Sequence, residues 1–256
     1  MSSQDICIHL SQSVDPYWNL ALEEQLFTSF DPLKQHLLLL WRNSPSVIIG
    51  RYQNPHLECD LVKMQEWGIP LVRRISGGGC VYHDLGNFNF SFMVAKNKFN
   101  KDSNFDFLLS FIRTQLPEGV AVPTRSSRDD LLLLERKFSG SAYKMLRDKV
   151  LHHGTILIAA DIERLSDLLF LKRMNDHSEN KTDRRGTRSQ RSPVINLVEL
   201  NPDLSYEQLQ EAFCQHYMQY HQCRHREEII LVDEQELHRR ATFFRSWQWC
   251  HGETPL

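Results

Sequence analysis

Residues 73–92 read RRISGGGCVYHDLGNFNFSF. The last six alternate, with Phe88, Phe90 and Phe92 against Asn87, Asn89 and Ser91. That is the period of a strand with one wet face. Leu71-Val72 reads as the end of another strand, so the three glycines join strand to strand. A P-loop needs Gly-Lys-Ser/Thr opening a helix, but Cys80 follows Gly79. A dinucleotide fingerprint needs GxGxxG before a helix. Gly77 and Gly79 fit it, but Tyr82 holds the third place and a strand follows. What remains is a side-chain-free loop whose amides approach a phosphate or a flat ring closely, with Arg73 and Arg74 beside it. The plainer alternative is a bulged turn with solvated arginines.

Outward from this loop, strands and helices are interspersed. Ile6 to Leu10, Leu37 to Trp41 and Val47 to Ile49 read as strands. Asp15-Pro16 caps a helix carrying Trp18, Leu22 and Leu26 at i+4 spacing. Asn54-Pro55 starts a second helix, predicted to run to Gly68. Another is expected from about Ser103 to Gln115. Leu131 to Leu134 with Phe138 suggests a hairpin, and Thr155 to Ala159 a strand before a helix capped by Asp161. Ser205 with Gln208 forms a capping box for a helix to about His221. A helix-like tail carries Trp247 and Trp249. The pattern predicts an α+β fold with a mixed or antiparallel central sheet flanked by helices. One domain over residues 1–256 is expected.

Composition narrows the function. Of 256 residues, 41% are apolar and 24% charged, with a net charge of −2. That balance suits a globular protein with a core and does not argue for nucleic-acid or membrane binding. No apolar run has the length of a membrane span. The N-terminal MSSQDICIHL resembles neither a secretory signal nor a transit peptide, so a cytoplasmic location is expected, with the mitochondrial matrix as the alternative. Six cysteines without CxxC spacing predict reduced thiols and no zinc site. Residues 172–192 hold seven Lys/Arg against three Asp/Glu and one large apolar residue, which predicts a mobile basic loop.

Two further stretches carry chemistry. In ERKFSGSAYK, residues 135–144, Lys137 precedes a small-residue turn. It is either an exposed strand-edge charge or a point charge for phosphate. In LHHGTILIAAD, His152 and His153 precede Gly154. They are either half of a metal site or a hydrogen-bonded structural pair, and no matching Cys or carboxylate spacing supports a metal.

WRNSPSVIIGRYQNPHLECD, RRISGGGCVYHDLGN, RKFSGSAYK, HHGTILIAADIERL, GTRSQRSPVINLVEL and SWQWCHGETP stand in this order along the chain. Together they resemble the signature blocks of the lipoate–protein ligase A family, over almost the whole chain. The resemblance implies a biotin/lipoate ligase catalytic fold. It implies ATP- and Mg²⁺-dependent activation of lipoate to lipoyl-AMP, then transfer to a lysine of a carrier domain. The carriers implied are E2 subunits of 2-oxoacid dehydrogenases and the H protein of glycine cleavage. It places Arg74 at the nucleotide, with Gly79, Cys80, Val81 and Tyr82 along the adenylate and Gly77, Gly78 and His83 among the binding residues. It places Lys137 near the acyl carboxylate and α-phosphate as the catalytic residue. Asp130, His153 and Gly154 join the same site, and Arg188 and Arg191 contact the nucleotide from a loop over residues 186–196. The phenylalanines of 88–92 are candidates for an acyl tunnel, with plain core as the alternative.

Three departures qualify this. The chain ends at GETPL, where long family members continue into an accessory domain. A separate partner protein, a transfer-only enzyme or a shortened variant with reduced activation is therefore expected. A non-catalytic lipoate-binding module is the remaining alternative. The hairpin between Asp130 and Lys137 lacks the usual glycine turn. Cys80 stands where the family has a small non-thiol residue, and is expected to be a buried, inert thiol.

Overall fold

Local signals start the helices as predicted. The Asp15 carboxylate accepts from the amides of Tyr17 and Trp18 at 2.8 and 3.3 Å, and the Ser205–Gln208 box closes in both directions. The computed structural model describes residues 5–169, 189, 192–222 and 232–253. In chain order these form β1 (Asp5–Leu10), α1 (Pro16–Ser29), β2 (Gln35–Trp41), β3 (Ser46–Ile49), α2 (Pro55–Glu58), α3 (Leu61–Glu66), β4 (Leu71–Arg73), β5 (Val81–His83) and β6 (Asn87–Ala95). Then come α4 (Lys101–Gln115), β7 (Thr124–Arg125), β8 (Leu131–Leu133), β9 (Arg136–Leu146), β10 (Lys149–Leu157), α5 (Ile162–Leu168), α6 (Tyr206–Tyr220) and α7 (Glu234–Arg245). A π-helical turn, Gln248–Gly252, follows α7. The basic stretch lies outside the described residues except at Ser189 and Ser192.

The large sheet has the order β1-β2-β6-β10-β9-β8-β7, and a small sheet the order β4-β3-β5. β1 and β2 are parallel, as are β3 and β4, and every other pair is antiparallel. The expected α+β fold with a mixed sheet is the one observed. The predicted helix from Pro55 to Gly68 is two short helices, because Asp60 leaves the helical region and caps the second through Lys63 N–H. Gly68 does end it, at φ +64°.

β6 corrects a second expectation. It has no wet face: all nine residues are buried. The large sheet is covered on both sides. Phe88, Phe90 and Phe92 pack with Phe107 and Phe213 of α4 and α6. The opposite face, with Leu37, Leu39 and Trp41, packs under α1 and the small sheet. The three phenylalanines are therefore core on the far side of the sheet from the cleft described below, and none lines it. The alternation does mark a strand, but a second polar face in a doubly covered sheet signals a built polar site rather than solvent.

Candidate active site

A register row crosses four strands of the large sheet. Trp41 of β2 lies beside Asn89 of β6, Asn89 beside Thr155 of β10, and Thr155 beside Gly140 of β9. The next row on the same face is Leu39, Ser91, His153 and Ala142. The small sheet and the glycine loop lie over these rows and leave a cleft of about 240 Å³. Ile48, Gly79, Cys80, Val81 and His83 line its roof. Lys137 and Asp130 stand at its β8–β9 end, and a smaller cavity of about 90 Å³ adjoins it across Lys137 and Gly140.

Lys137 is placed by its neighbours. Its ammonium pairs with the Asp130 carboxylate at 2.6 Å, and Arg128 reaches the same carboxylate at 3.6 Å. A β-carbon at Gly140 would lie 2.8 Å from Lys137 Nζ, so the lysine lies across Gly140 and a side chain there would have to push it aside. Its backbone is clamped by the returning chain: Lys137 N–H donates to Pro193 O at 2.8 Å, and Ile195 N–H to Lys137 O at 3.0 Å. The hairpin does turn without glycine. Leu134 and Glu135 take φ +50° and +61°, a left-handed pair that costs roughly 1–2 kcal/mol each.

The glycine loop is built around Arg74, and both arginines of the pair are buried, at 0% and 5% exposure. This removes the solvated-turn alternative. Arg74 donates to Ser76 Oγ (3.0 Å), Ile48 O (3.2 Å), Gly77 O (2.7 Å) and Gly79 O (2.7 Å). Drawing loop carbonyls onto one guanidinium fixes how the peptide planes lie. Gly78 takes φ +92°, and any side chain at Gly50 would run into its carbonyl. Arg73 points elsewhere. It donates to the carbonyls of Gly50, Arg51, Gln53, Trp249 and Cys250 at 2.8–3.2 Å. Burial draws both guanidinia down to about 10, so both stay protonated near neutral pH.

The two histidines are not a pair. They alternate across β10. His152 stacks on Tyr143 in the aromatic core and faces Asn104 Nδ2 at 3.0 Å. His153 faces the cleft. Its Nδ1 lies 2.8 Å from Glu23 Oε1, and its Nε2 lies 2.7 Å from Ser76 Oγ. A carboxylate only accepts, which places the proton on Nδ1. Nε2 then accepts from Ser76, whose oxygen accepts from Arg74. The order Glu23–His153–Ser76 looks like a hydrolase triad. Ser76 is fully buried and does not line the cleft, so the chain positions the loop rather than presenting a nucleophile. His83 is held down to about 3 by burial, with Arg74 adding repulsion, and is neutral. No set of three metal-ligating side chains comes together among the described residues.

The predicted residues divide as follows. Arg74, Gly79, Cys80, Val81, His83, Asp130, Lys137, His153 and Gly154 line the cleft. Gly77 and Gly78 shape the loop behind it, and Tyr82 lines the adjoining cavity. Arg188 and Arg191 lie outside the described residues. Ser189, between them, accepts from Cys80 N–H at 2.7 Å and donates its own N–H to Glu58 Oε2 at 3.0 Å. Glu23, Ser76, Trp41, Asn89 and Ser189 escape the sequence reading. Asn19 and Glu23 at i, i+4 among the apolar residues of α1 were a visible signal for buried polar work.

Cys80 is 7% exposed, and burial beside Cys59 pushes its thiol well up. A neutral thiol is a poor nucleophile. Cys80→Ala should leave product formation unchanged and no covalent acyl-protein should be found by mass spectrometry in the parent. A trapped thioester in the parent, lost in the variant, would reverse this.

Known proteins share the arrangement. The lipoyl protein ligase A/B catalytic domain matches residues 15–218. Lipoate-protein ligase A of Bdellovibrio bacteriovorus is 35% identical over 98% of this chain and 73% of its own length. The P. falciparum protein LipL1, solved with lipoate, superposes with a TM-score of 0.81 at 29% identity, over 98% of this chain and 75% of that one. A bipartite lipoate protein ligase of Thermoplasma acidophilum, described with its E2 lipoyl domain, gives 0.79 at 25% over 99% and 98%. A lipoate-protein ligase A bound with ATP gives 0.78 at 25% over 98% and 100%. With an ammonium and a glycine loop meeting in one cleft and the family model spanning most of the chain, this protein belongs to the lipoyl protein ligase A/B catalytic-domain family.

Proposed function

We propose that the chain is a lipoate–protein ligase. It activates lipoate with ATP to lipoyl-AMP, releasing pyrophosphate, and passes the lipoyl group to a lysine of a carrier domain, where the amide forms as the acyl–phosphate bond breaks and AMP leaves. The observation that carries this is the convergence of Lys137 Nζ and the Gly79–Cys80 backbone on one cleft. Adenylation gathers negative charge on the α-phosphate oxygens as the carboxylate attacks. A fixed ammonium in a cleft stabilises that charge with little reorganisation. In the transfer step the same ammonium stabilises the oxyanion formed when the carrier lysine attacks the acyl carbon.

The residues present fit a magnesium nucleotide. Mg²⁺ keeps several waters and takes one or two carboxylates plus phosphate oxygens. Asp130 is the carboxylate lining the cleft, and the metal supplies charge neutralisation at the departing pyrophosphate. The E2 lipoyl domain described with the Thermoplasma ligase supports carriers of that class, and its bipartite build supports a separate accessory chain.

The test is pyrophosphate release from ATP and lipoate by the purified chain, with the carrier domain followed by mass. Release plus a lipoyl mass increment is expected. Modification from supplied lipoyl-AMP without release from ATP would replace the ligase reading with transfer alone. Neither activity, with lipoate still bound, would leave a binding module.

A further inference from the structure

The cleft has a polar far end that the chemistry at Lys137 does not use. Lys137 Nζ lies over Gly140, and the row Gly140, Thr155, Asn89, Trp41 runs from there across the sheet. Neighbouring strands stand about 4.8 Å apart, so Asn89 is roughly 10 Å and Trp41 roughly 15 Å from the lysine end. An extended octanoyl or lipoyl chain with its carboxyl at Lys137 covers that distance. Its last carbons, or its dithiolane ring, then reach Asn89.

Asn89 is an unusual residue for such a place. It is fully buried, lines the cleft, and neither its Oδ1 nor its Nδ2 has a partner among the described residues. His83, above it in the roof, has no partner for Nε2 among the described residues. The tautomer follows from the surrounding bonds. Asn19 Nδ2 donates to Asn43 Oδ1 at 2.9 Å, which turns Asn43 Nδ2 towards His83 Nδ1 at 3.1 Å. Nδ1 accepts, so Nε2 carries the proton and is a donor without an acceptor. Trp41 is not available to either group, because its Nε1–H is spent on Ser91 Oγ at 3.1 Å.

We propose that Asn89, with His83, reads the far end of the acyl chain and selects a sulfur-bearing lipoyl tail over a plain octanoyl tail. This rests on the ligase reading given above. An alkyl end laid against these atoms removes them from water and offers them nothing. A dithiolane offers two polarisable sulfurs that accept weakly from N–H. Sites with committed polar groups reject analogues that lack the matching group, and a weak acceptor puts the discrimination at the modest end, about tenfold.

The experiment is calorimetric titration of the full chain with lipoate and, separately, octanoate. The parent protein should bind lipoate about tenfold more tightly. In Asn89→Leu, which keeps nearly the same volume, octanoate should gain and the ratio should fall towards one. If that variant unfolds, Asn89→Ala, which also removes the amide, should shift the ratio in the same direction. A ratio unchanged in a folded variant, or a parent that prefers octanoate, overturns the assignment of Asn89 while leaving the ligase reading standing. A parent that binds neither acid overturns both.

Discussion

Lys137→Ala should lower lipoyl transfer by at least about 10²–10³-fold, the cost of removing one preorganised donor from developing charge. The loss should appear in both half-reactions: pyrophosphate release from ATP, and carrier modification from supplied lipoyl-AMP. The thermal midpoint should barely move, because Lys137 is held by backbone bonds that alanine keeps and its ammonium makes a partly exposed ion pair with Asp130. Lys137→Arg should rescue little. A planar fork cannot replace a compact ammonium lying across Gly140, where 2.8 Å separates Nζ from the position of a β-carbon. Near-parental turnover in Lys137→Ala would remove the residue from the mechanism and with it the central support for the ligase reading.

Arg73→Ala should unfold the C-terminal edge of the site. The side chain is fully buried and bonded to five carbonyls. It ties the turn at residues 50–53 to the π-helical turn Gln248–Gly252. Trp249 Nε1–H returns a bond to Arg73 O at 2.7 Å. Loss of the Arg73 guanidinium leaves five buried carbonyls without their donor, at about 1–3 kcal/mol for each that stays unsatisfied. At roughly 2–4 °C per kcal/mol for a chain of this size, the thermal midpoint should fall by about 10 °C. Trp249, now 7% exposed, should report the change as a red-shifted emission. A midpoint within a degree or two of the parent would show that water or a rotated backbone satisfies those carbonyls. Because Gly50 and Gln53 border the glycine loop, lipoate affinity should drop with stability in this variant.

Much of the site was visible along the chain because its parts are local. Three glycines between two strands, a lysine before Ser-Gly-Ser, and an aspartate ahead of the hairpin each depend on a few neighbouring residues. The caps at Asp15, Asp60, Asp161 and Ser205 do as well, since a side chain reaching an amide two or three residues on needs no distant partner. Asp60 carries the same cap signal inside a pattern that also reads as one continuous helix.

Most of the strands and helices, the glycine loop and the charged residues that flank it are legible along the chain. Which of these face one another emerges only on folding. Register places Trp41, Asn89, Thr155 and Gly140 in one row, although they come from four strands spread over residues 35–157. The period-two reading left two faces open on β6 and could not say that both are dry. It could not tell that Arg73 serves the chain's end while Arg74 serves the loop, nor that His152 and His153 part company across the sheet. The physical reason is common to all of these. Burial and pairing of a polar group depend on what covers the sheet, and that is fixed by contacts between residues far apart in the chain.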